Sequence, residues 1–141
     1  MKVLDSETKL CLSCMEEHEV HKVEVLEENI FKGQLVQYPA KYEYCFNTDT
    51  YTTYDDAINT NDISLKDAYR KKVGLLTSKE IISIRKKYGI SQKDFAKVLG
   101  WGSSTITRYE NHQVQDVVHD DVLRKVNSDP KWFIELLNRS N

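Results

Sequence analysis

The chain has 141 residues, of which 20 are Lys or Arg, 22 are Asp or Glu, and 40% are apolar. This length suits one domain or two small ones, and it excludes a large catalytic barrel or a doubly wound enzyme. The apolar content is close to the globular norm, which excludes wholesale disorder. No apolar run approaches the roughly 20 residues that span a bilayer, and the start MKVLDSETKL lacks a leader pattern, so we expect a soluble cytoplasmic protein.

The net charge of -2 is an average of two opposite regions. Residues 1–60 hold 5 Lys against 12 Asp and Glu, a net charge of -7. Residues 61–141 hold 15 basic and 10 acidic residues, a net charge of +5, and the segment 61–112 alone carries +6. The asymmetry predicts two modules with different partners.

Residues 20–54 have the alternation of short strands, with Ala40, Tyr42 and Tyr44 on one face. The tyrosines of this region are expected to cover a thin core. A base-stacking role is disfavoured because a net charge of -7 repels phosphates. Residues 61–72 show helical spacing and predict a short connecting helix.

Five helices are predicted from residue 77 onward. Thr77 and Glu80 have capping-box spacing for a first helix over 78–88, and Ser91 and Gly100 bound a second helix over Gln92–Leu99. The remaining three are predicted over 103–111, over 117–126 with His119, Asp120 and Asp121 as capping groups, and over Pro130–Leu137 with Asp129 as N-cap. The fold class is therefore α+β: a β-rich module over 1–60, a linker helix over 61–74 and an all-α domain over 75–141.

The stretch QKDFAKVLGWGSSTITRYEN, residues 92–111, has the pattern of a helix-turn-helix. Ala96 is small where the second helix must pass close by, and Gly100 supplies the permissive backbone of the turn. Five apolar residues fall where the two helices need contacts: Phe95, Leu99, Trp101, Ile106 and Tyr109. The alternative is a helical bundle without a DNA-binding role.

The spacing also assigns DNA contacts. If Ile106 and Tyr109 face inward, the outer face of the third helix presents Ser103, Ser104, Thr107 and Arg108. Arg108 can bridge guanine O6 and N7, and Gln92 can hold a phosphate at the start of the second helix. Base-edge or phosphate contacts are further predicted for Ser103, Ser104 and Thr105, and phosphate contacts for Lys93 and Lys97.

Each of these assignments has an alternative. The serines could serve only as helix-start residues. Arg108 could instead form a salt bridge inside the domain with Asp94 or Glu110. The lysines could be solubilising charges without a ligand.

The chain resembles a known family. Residues 77–126 resemble the Xre or Cro/CI-type helix-turn-helix domain, through LLTSKEI, IRKKYGISQKDFAKVLGWG and TITRYENHQVQD. Together with CLSC at residues 11–14, the arrangement resembles the MqsA or YgiT-type zinc-finger antitoxins. The resemblance implies a homodimer that represses its own operon at a palindromic DNA operator, and an N-terminal module that binds a toxin. It also places the family's reading Arg on Arg108 and its polar partner on Ser104.

The resemblance further implies a zinc site of two CxxC pairs. The three cysteines are too few and odd in number for a disulfide framework, and they suit reduced thiols or metal ligands. The second pair falls on residues 42–45, where Tyr42 replaces a cysteine. Zinc could still bind Cys11, Cys14 and Cys45 with a fourth ligand from His18 or His21. The alternative is a sheet held by tyrosine packing alone.

A second departure from the family is His112, which stands where related domains usually have Gly, so the third helix is expected to end differently.

No enzymatic motif is evident, since the four histidines are scattered and there is no HExxH or phosphate-binding loop. The leading hypothesis is a dimeric DNA-binding antitoxin and autorepressor. The alternatives are a phage or mobile-element regulator whose N-terminal module binds a host protein, and a plain Xre-type regulator.

Overall fold

The computed structural model describes residues 1–140, and the chain divides into two compact units. Unit 1 is Met1–Ala68 and unit 2 begins at Tyr69. Four strands form one antiparallel sheet in the order β1-β2-β3-β4: β1 Lys2–Cys11, β2 Glu16–Phe31, β3 Gln34–Cys45 and β4 Thr50–Thr52. Six helices follow, which confirms the α+β class: α1 Ala57–Val73, α2 Ser78–Lys87, α3 Gln92–Leu99, α4 Thr105–Tyr109, α5 Val117–Ser128 and α6 Pro130–Arg139.

The long β2–β3 hairpin dominates unit 1. Its register pairs Val25 with Ala40, and alternate residues of β3 from Val36 to Tyr44 lie on the inner face. The tyrosines of this face keep their hydroxyls hydrogen-bonded to carboxylates: Tyr38 and Tyr42 donate to Glu27, and Tyr44 donates to Asp49. Their role in the sheet is structural, because each ring packs while its polar tip is satisfied.

Helix α1 is longer than the helix predicted over 61–72. The Asn61 amide completes the β3 edge, since its Oδ1 accepts from the Lys41 N–H at 2.8 Å and its Nδ2 donates to the Lys41 carbonyl at 3.0 Å. The Lys66 ammonium lies 5.2 Å from the centre of the Phe31 ring. These contacts tie the first half of α1 to the hairpin.

The helices of unit 2 begin and end largely where the capping residues in the sequence predict. Thr77 and Glu80 form the reciprocal capping box of α2, and Ser91 caps α3 through the Asp94 N–H. Asp129 caps α6 with Pro130 at its first position. The core contains ten buried residues: Leu76, Ile81, Ile84, Phe95, Ala96, Ile106, Tyr109, Leu123, Val126 and Phe133. Within residues 1–140, none of the helices is both long and apolar enough to cross a membrane.

Two predictions about the helix ends are wrong. The spacing predicts the third helix over 103–111, whereas α4 covers only Thr105–Tyr109. At its start, Ser104 makes no side-chain cap, and at its end Glu110 is the C-cap. The cap of α5 is Asp116, which accepts from the His119 N–H, rather than the group His119, Asp120 and Asp121. Asp120 is buried and accepts from the Leu76 N–H and from Arg124. An N-cap must precede the helix, and Asp120 lies within it.

Candidate nucleic-acid interface and metal centre

Helices α3 and α4 pack as a helix-turn-helix. Phe95, Ala96 and Ile106 are completely buried between them, so the small side chain of Ala96 does allow close approach. Gly100 adopts a left-handed φ of 74° at the end of α3. A side chain there would be strained, because only Gly adopts this conformation without cost. The turn fixes the direction in which α4 leaves α3.

The outer surface of this pair is polar and basic. The residues predicted for DNA contact that are exposed here are Lys93, Lys97, Ser103, Ser104, Thr107 and Arg108, while Gln92 and Thr105 are half-buried. In the described chain Arg108 forms no ion pair, whereas Glu110 is buried and pairs with Arg85. The alternative of an internal Arg108–Glu110 salt bridge is therefore wrong. The guanidinium of Arg108 is available to an external acceptor.

Gln92 is held in place by neighbouring side chains. Its Nε2 donates to Glu110 Oε1 at 2.9 Å, and its Oε1 accepts from the Thr107 hydroxyl at 2.9 Å. Glu110 also accepts from Arg85 Nε at 2.7 Å, and this ion pair raises the pKa of Arg85 further. The network links α2, α3 and the end of α4, and it orients the Gln92 amide before any ligand binds.

Arg70, at the end of α1, was not identified from the sequence. It is completely buried, and its guanidinium donates to the Tyr109 carbonyl at 2.9 Å, the Gln113 carbonyl at 2.6 Å and Gln115 Oε1 at 3.1 Å. These acceptors lie at the end of α4 and in the following loop. Arg70 and these acceptors are separated by 39 to 45 positions in the sequence, so no local pattern could have indicated the contact.

The loop after α4 replaces the usual glycine ending. His112 is absent from the described non-glycine residues with positive φ, as expected from the cost of such a conformation. Helix α4 instead ends with Glu110 in a right-handed conformation. The Arg70 guanidinium donates to the carbonyl of Tyr109, the last helical residue. A long-range side chain thus performs the task of a local C-cap.

A second cluster lies in unit 1. The ligand atoms of Cys11, Cys14, His18 and Cys45 all lie within 4.8 Å of one another, and Cys45 Sγ is 3.7 Å from His18 Nε2. Cys11 and Cys45 are buried and all three thiols are free of disulfides. A set of three cysteines and one histidine suits structural zinc, and these four residues could hold the ion. When bound, it would cross-link the β1–β2 turn to the end of β3.

The pKa values of these side chains are shifted in different directions. Hydrogen bonds favour the thiolates of Cys11 and Cys45, whereas the pKa values of Cys14 and His18 are raised, so a metal would have to displace protons from these two. The Thr48 hydroxyl and backbone N–H lower the pKa of Cys45 to about 6, and the Cys14 backbone N–H lowers the pKa of Cys11. The Glu19 carbonyl and then the Cys11 thiol raise the pKa of His18 to about 9. His18 Nδ1 lies 2.9 Å from that carbonyl, so it acts as the donor and leaves Nε2 directed at the thiols.

The second half of the metal centre has a different register from the predicted pair Tyr42–Cys45. Tyr42 lies within β3 and donates to Glu27, away from the thiols. Cys45 instead begins a turn that repeats the one at Cys11, because Met15 and Asp49, each four residues after a cysteine, have φ of 59° and 50°. Thr48 therefore occupies the place of the fourth cysteine. The turn-forming residues at 47–49 are the feature of the sequence that predicts a turn directly after Cys45.

The structure also decides between the two candidate histidines. His18 belongs to the cluster, whereas His21 Nδ1 lies 2.6 Å from the Ser6 hydroxyl and its ring meets Phe46 edge-on. His21 as the fourth ligand is wrong. Since β2 begins at Glu16, residues 18 and 21 are three apart on a strand and point to opposite faces.

Comparison with known proteins finds one family. A family model described as helix-turn-helix matches residues 81–115, which lie wholly within unit 2 and contain α3, α4 and most of α2. No curated protein and no solved structure matches the chain significantly. The family match supports a DNA-binding transcription regulator of Xre type.

Proposed function

We propose that the protein is a homodimeric antitoxin that represses its own operon, reads a palindromic DNA operator with α4 and binds a toxin through unit 1. The observation that carries the DNA-binding part is the exposed Arg108 on α4, together with exposed short polar residues on α4 and in the turn that precedes it. Unit 2 holds 14 basic and 8 acidic residues, a net charge of +6, and this field favours a phosphate backbone.

Each predicted DNA contact has a role in this proposal. Arg108 reads a guanine edge, because its guanidinium can donate to O6 and N7 together. Ser104, Ser103 and Thr105 contact base edges or phosphates at the start of α4. Lys93 and Lys97 contact the backbone, and the Gln92 amide contacts a phosphate from the start of α3. Thr107 supports Gln92 through its hydroxyl.

Unit 1 supplies the second surface. It holds 6 basic and 14 acidic residues, a net charge of -8, which opposes DNA binding and favours a basic protein. Its thiol cluster serves to fix the turns rather than to catalyse, because all four ligand positions are taken by protein side chains. We therefore assign partner binding to unit 1 and DNA reading to unit 2.

Replacement of Arg108 by Ala is expected to weaken specific binding to a DNA fragment from the protein's own promoter by about tenfold or more. The reason is loss of the bidentate contact to guanine. Arg108→Lys keeps the charge without the planar fork, so it is expected to retain affinity for random DNA while losing specificity. Fluorescence anisotropy at several salt concentrations measures both quantities.

Lys97→Ala is the matched control for a phosphate contact. It is expected to weaken binding to all sequences alike and to reduce the slope of log affinity against log salt by about 1. If Arg108→Ala instead behaves like Lys97→Ala, α4 does not read bases through Arg108.

The antitoxin role has a separate test. The product of the neighbouring gene is expected to arrest growth when it is expressed alone and to be neutralised by co-expression of this protein. A stable complex with a host protein, and no neutralisation of a neighbouring product, would favour a mobile-element inhibitor instead.

A further inference from the structure

The β2–β3 hairpin carries large apolar side chains on both of its faces. The register pairs Leu26 with Pro39 and Ile30 with Leu35, and cross-strand partners share a face. Leu26 is 71% exposed, Ile30 is 74% exposed and Leu35 is 51% exposed. We call these four residues, Leu26, Ile30, Leu35 and Pro39, the outer hairpin face.

The outer hairpin face is not part of the core. The core side chains of the same hairpin are Val23, Val36, Tyr38 and Ala40, which are at most 5% exposed, and the last three alternate with Leu35 and Pro39 along β3. Helix α1 contacts the hairpin at Lys41 and Phe31, yet it leaves Leu26 and Ile30 largely exposed. A strand that needed only to fold would place polar residues at these positions. A contiguous exposed apolar patch instead indicates an interaction site.

The charges indicate the kind of partner. On the outer face itself, Glu28 lies between Leu26 and Ile30, while Glu24 is paired across the strands with Lys41. The face is thus close to neutral, and it is embedded in a unit with a net charge of -8. That field attracts a basic protein, repels nucleic acid and disfavours a second copy of unit 1, which brings another -8.

We propose that the outer hairpin face binds a basic protein that inserts apolar side chains among Leu26, Ile30 and Leu35. The inference rests on the proposed partner-binding role of unit 1 and assigns that role to one face of the sheet. Burial of the apolar side chains holds the complex together, and the surrounding carboxylates steer the partner to it.

The test uses the full chain with Leu26 and Ile30 both replaced by Thr, a polar residue whose β-branched side chain suits strands. Val117 and Val118 are 66% and 70% exposed in unit 2, so Val117→Thr with Val118→Thr is a control of similar exposure. Calorimetric titration with the neighbouring-gene product is expected to show at least tenfold weaker binding for L26T/I30T and no change for V117T/V118T. Binding of the unaltered protein is also expected to weaken as salt rises.

A second probe separates this inference from the antitoxin role. A phage-displayed random peptide library selected on the full chain is expected to yield basic peptides with apolar residues that no longer bind L26T/I30T. If the neighbouring product does not bind, the antitoxin role fails while such peptides still support the outer hairpin face. Equal binding of L26T/I30T to both probes, or enrichment of acidic peptides, overturns the inference. A shift of L26T/I30T from dimer to monomer in sedimentation also overturns it, because a second copy would then be the occupant.

Discussion

Replacement of Arg70 by Ala is expected to lower the free energy of unfolding of unit 2 by about 3 kcal/mol. The variant leaves the buried Tyr109 carbonyl, the buried Gln115 amide and the partly buried Gln113 carbonyl without their donor. Each buried acceptor that loses its donor costs roughly 1 kcal/mol or more. Because these groups end α4, we also expect DNA affinity to fall. Urea denaturation followed by tryptophan fluorescence measures the stability, since Trp101 and Trp132 both lie in unit 2.

Two variants make the Arg70 result specific. Lys71→Ala removes a neighbouring but exposed cation, and we expect a change within about 0.5 kcal/mol. Arg70→Lys retains the charge, yet a single ammonium cannot replace the forked guanidinium, so an intermediate loss is expected. If the urea midpoint of Arg70→Ala equals that of the unaltered protein, water can replace the guanidinium as the donor to these acceptors.

Replacement of either Cys45 by Ser or His18 by Ala is expected to remove the metal from the purified protein. Each variant deletes one of four ligands, and structural zinc is held by a complete tetrahedral set. Since metal binding contributes directly to folding, unit 1 should then unfold at lower urea concentration by tyrosine fluorescence. The tryptophan transition of unit 2 should stay unchanged, which provides an internal reference.

His21→Ala is the matched control for the metal centre. It removes an imidazole only three residues from His18 that contacts Ser6 and Phe46 instead of the thiols. One equivalent of zinc is expected to remain by inductively coupled plasma mass spectrometry. Zinc retained in His18→Ala, or absent from the unaltered protein, would contradict the proposed Cys3His centre.

The parts of the fold that follow from local chemistry could be predicted from the sequence. The capping box of Thr77 and Glu80, the Ser91 cap and the left-handed Gly100 each depend on residues at most a few positions apart. Strand β1 was not predicted, since nearly all its residues are exposed and KVLDSETKLC has no clear apolar face. An edge strand of this kind is stabilised by pairing with β2, which sequence alternation does not report.

In the candidate sites too, residues placed by local spacing could be predicted, and residues placed by long-range contacts could not. Arg108 could be assigned because helical spacing fixes its face, whereas the Arg70 clamp joins residues about 40 positions apart. The sequence offered the three cysteines as candidate metal ligands, but the identity of the fourth ligand depended on tertiary structure. The register of the second turn was wrong because the family pattern was aligned on cysteine spacing, whereas the left-handed Asp49 defines the turn.

The contact between Asn61 and Lys41 has a consequence for how the chain can be divided. One amide satisfies both backbone groups of Lys41, so it occupies a position at which another β-strand could otherwise pair. Unpaired edges are templates for intermolecular aggregation. A fragment that ends at residue 60 would expose this edge, whereas one that ends at Ala68 keeps it closed. We therefore expect a fragment that includes the first half of α1 to aggregate less than one that ends at residue 60.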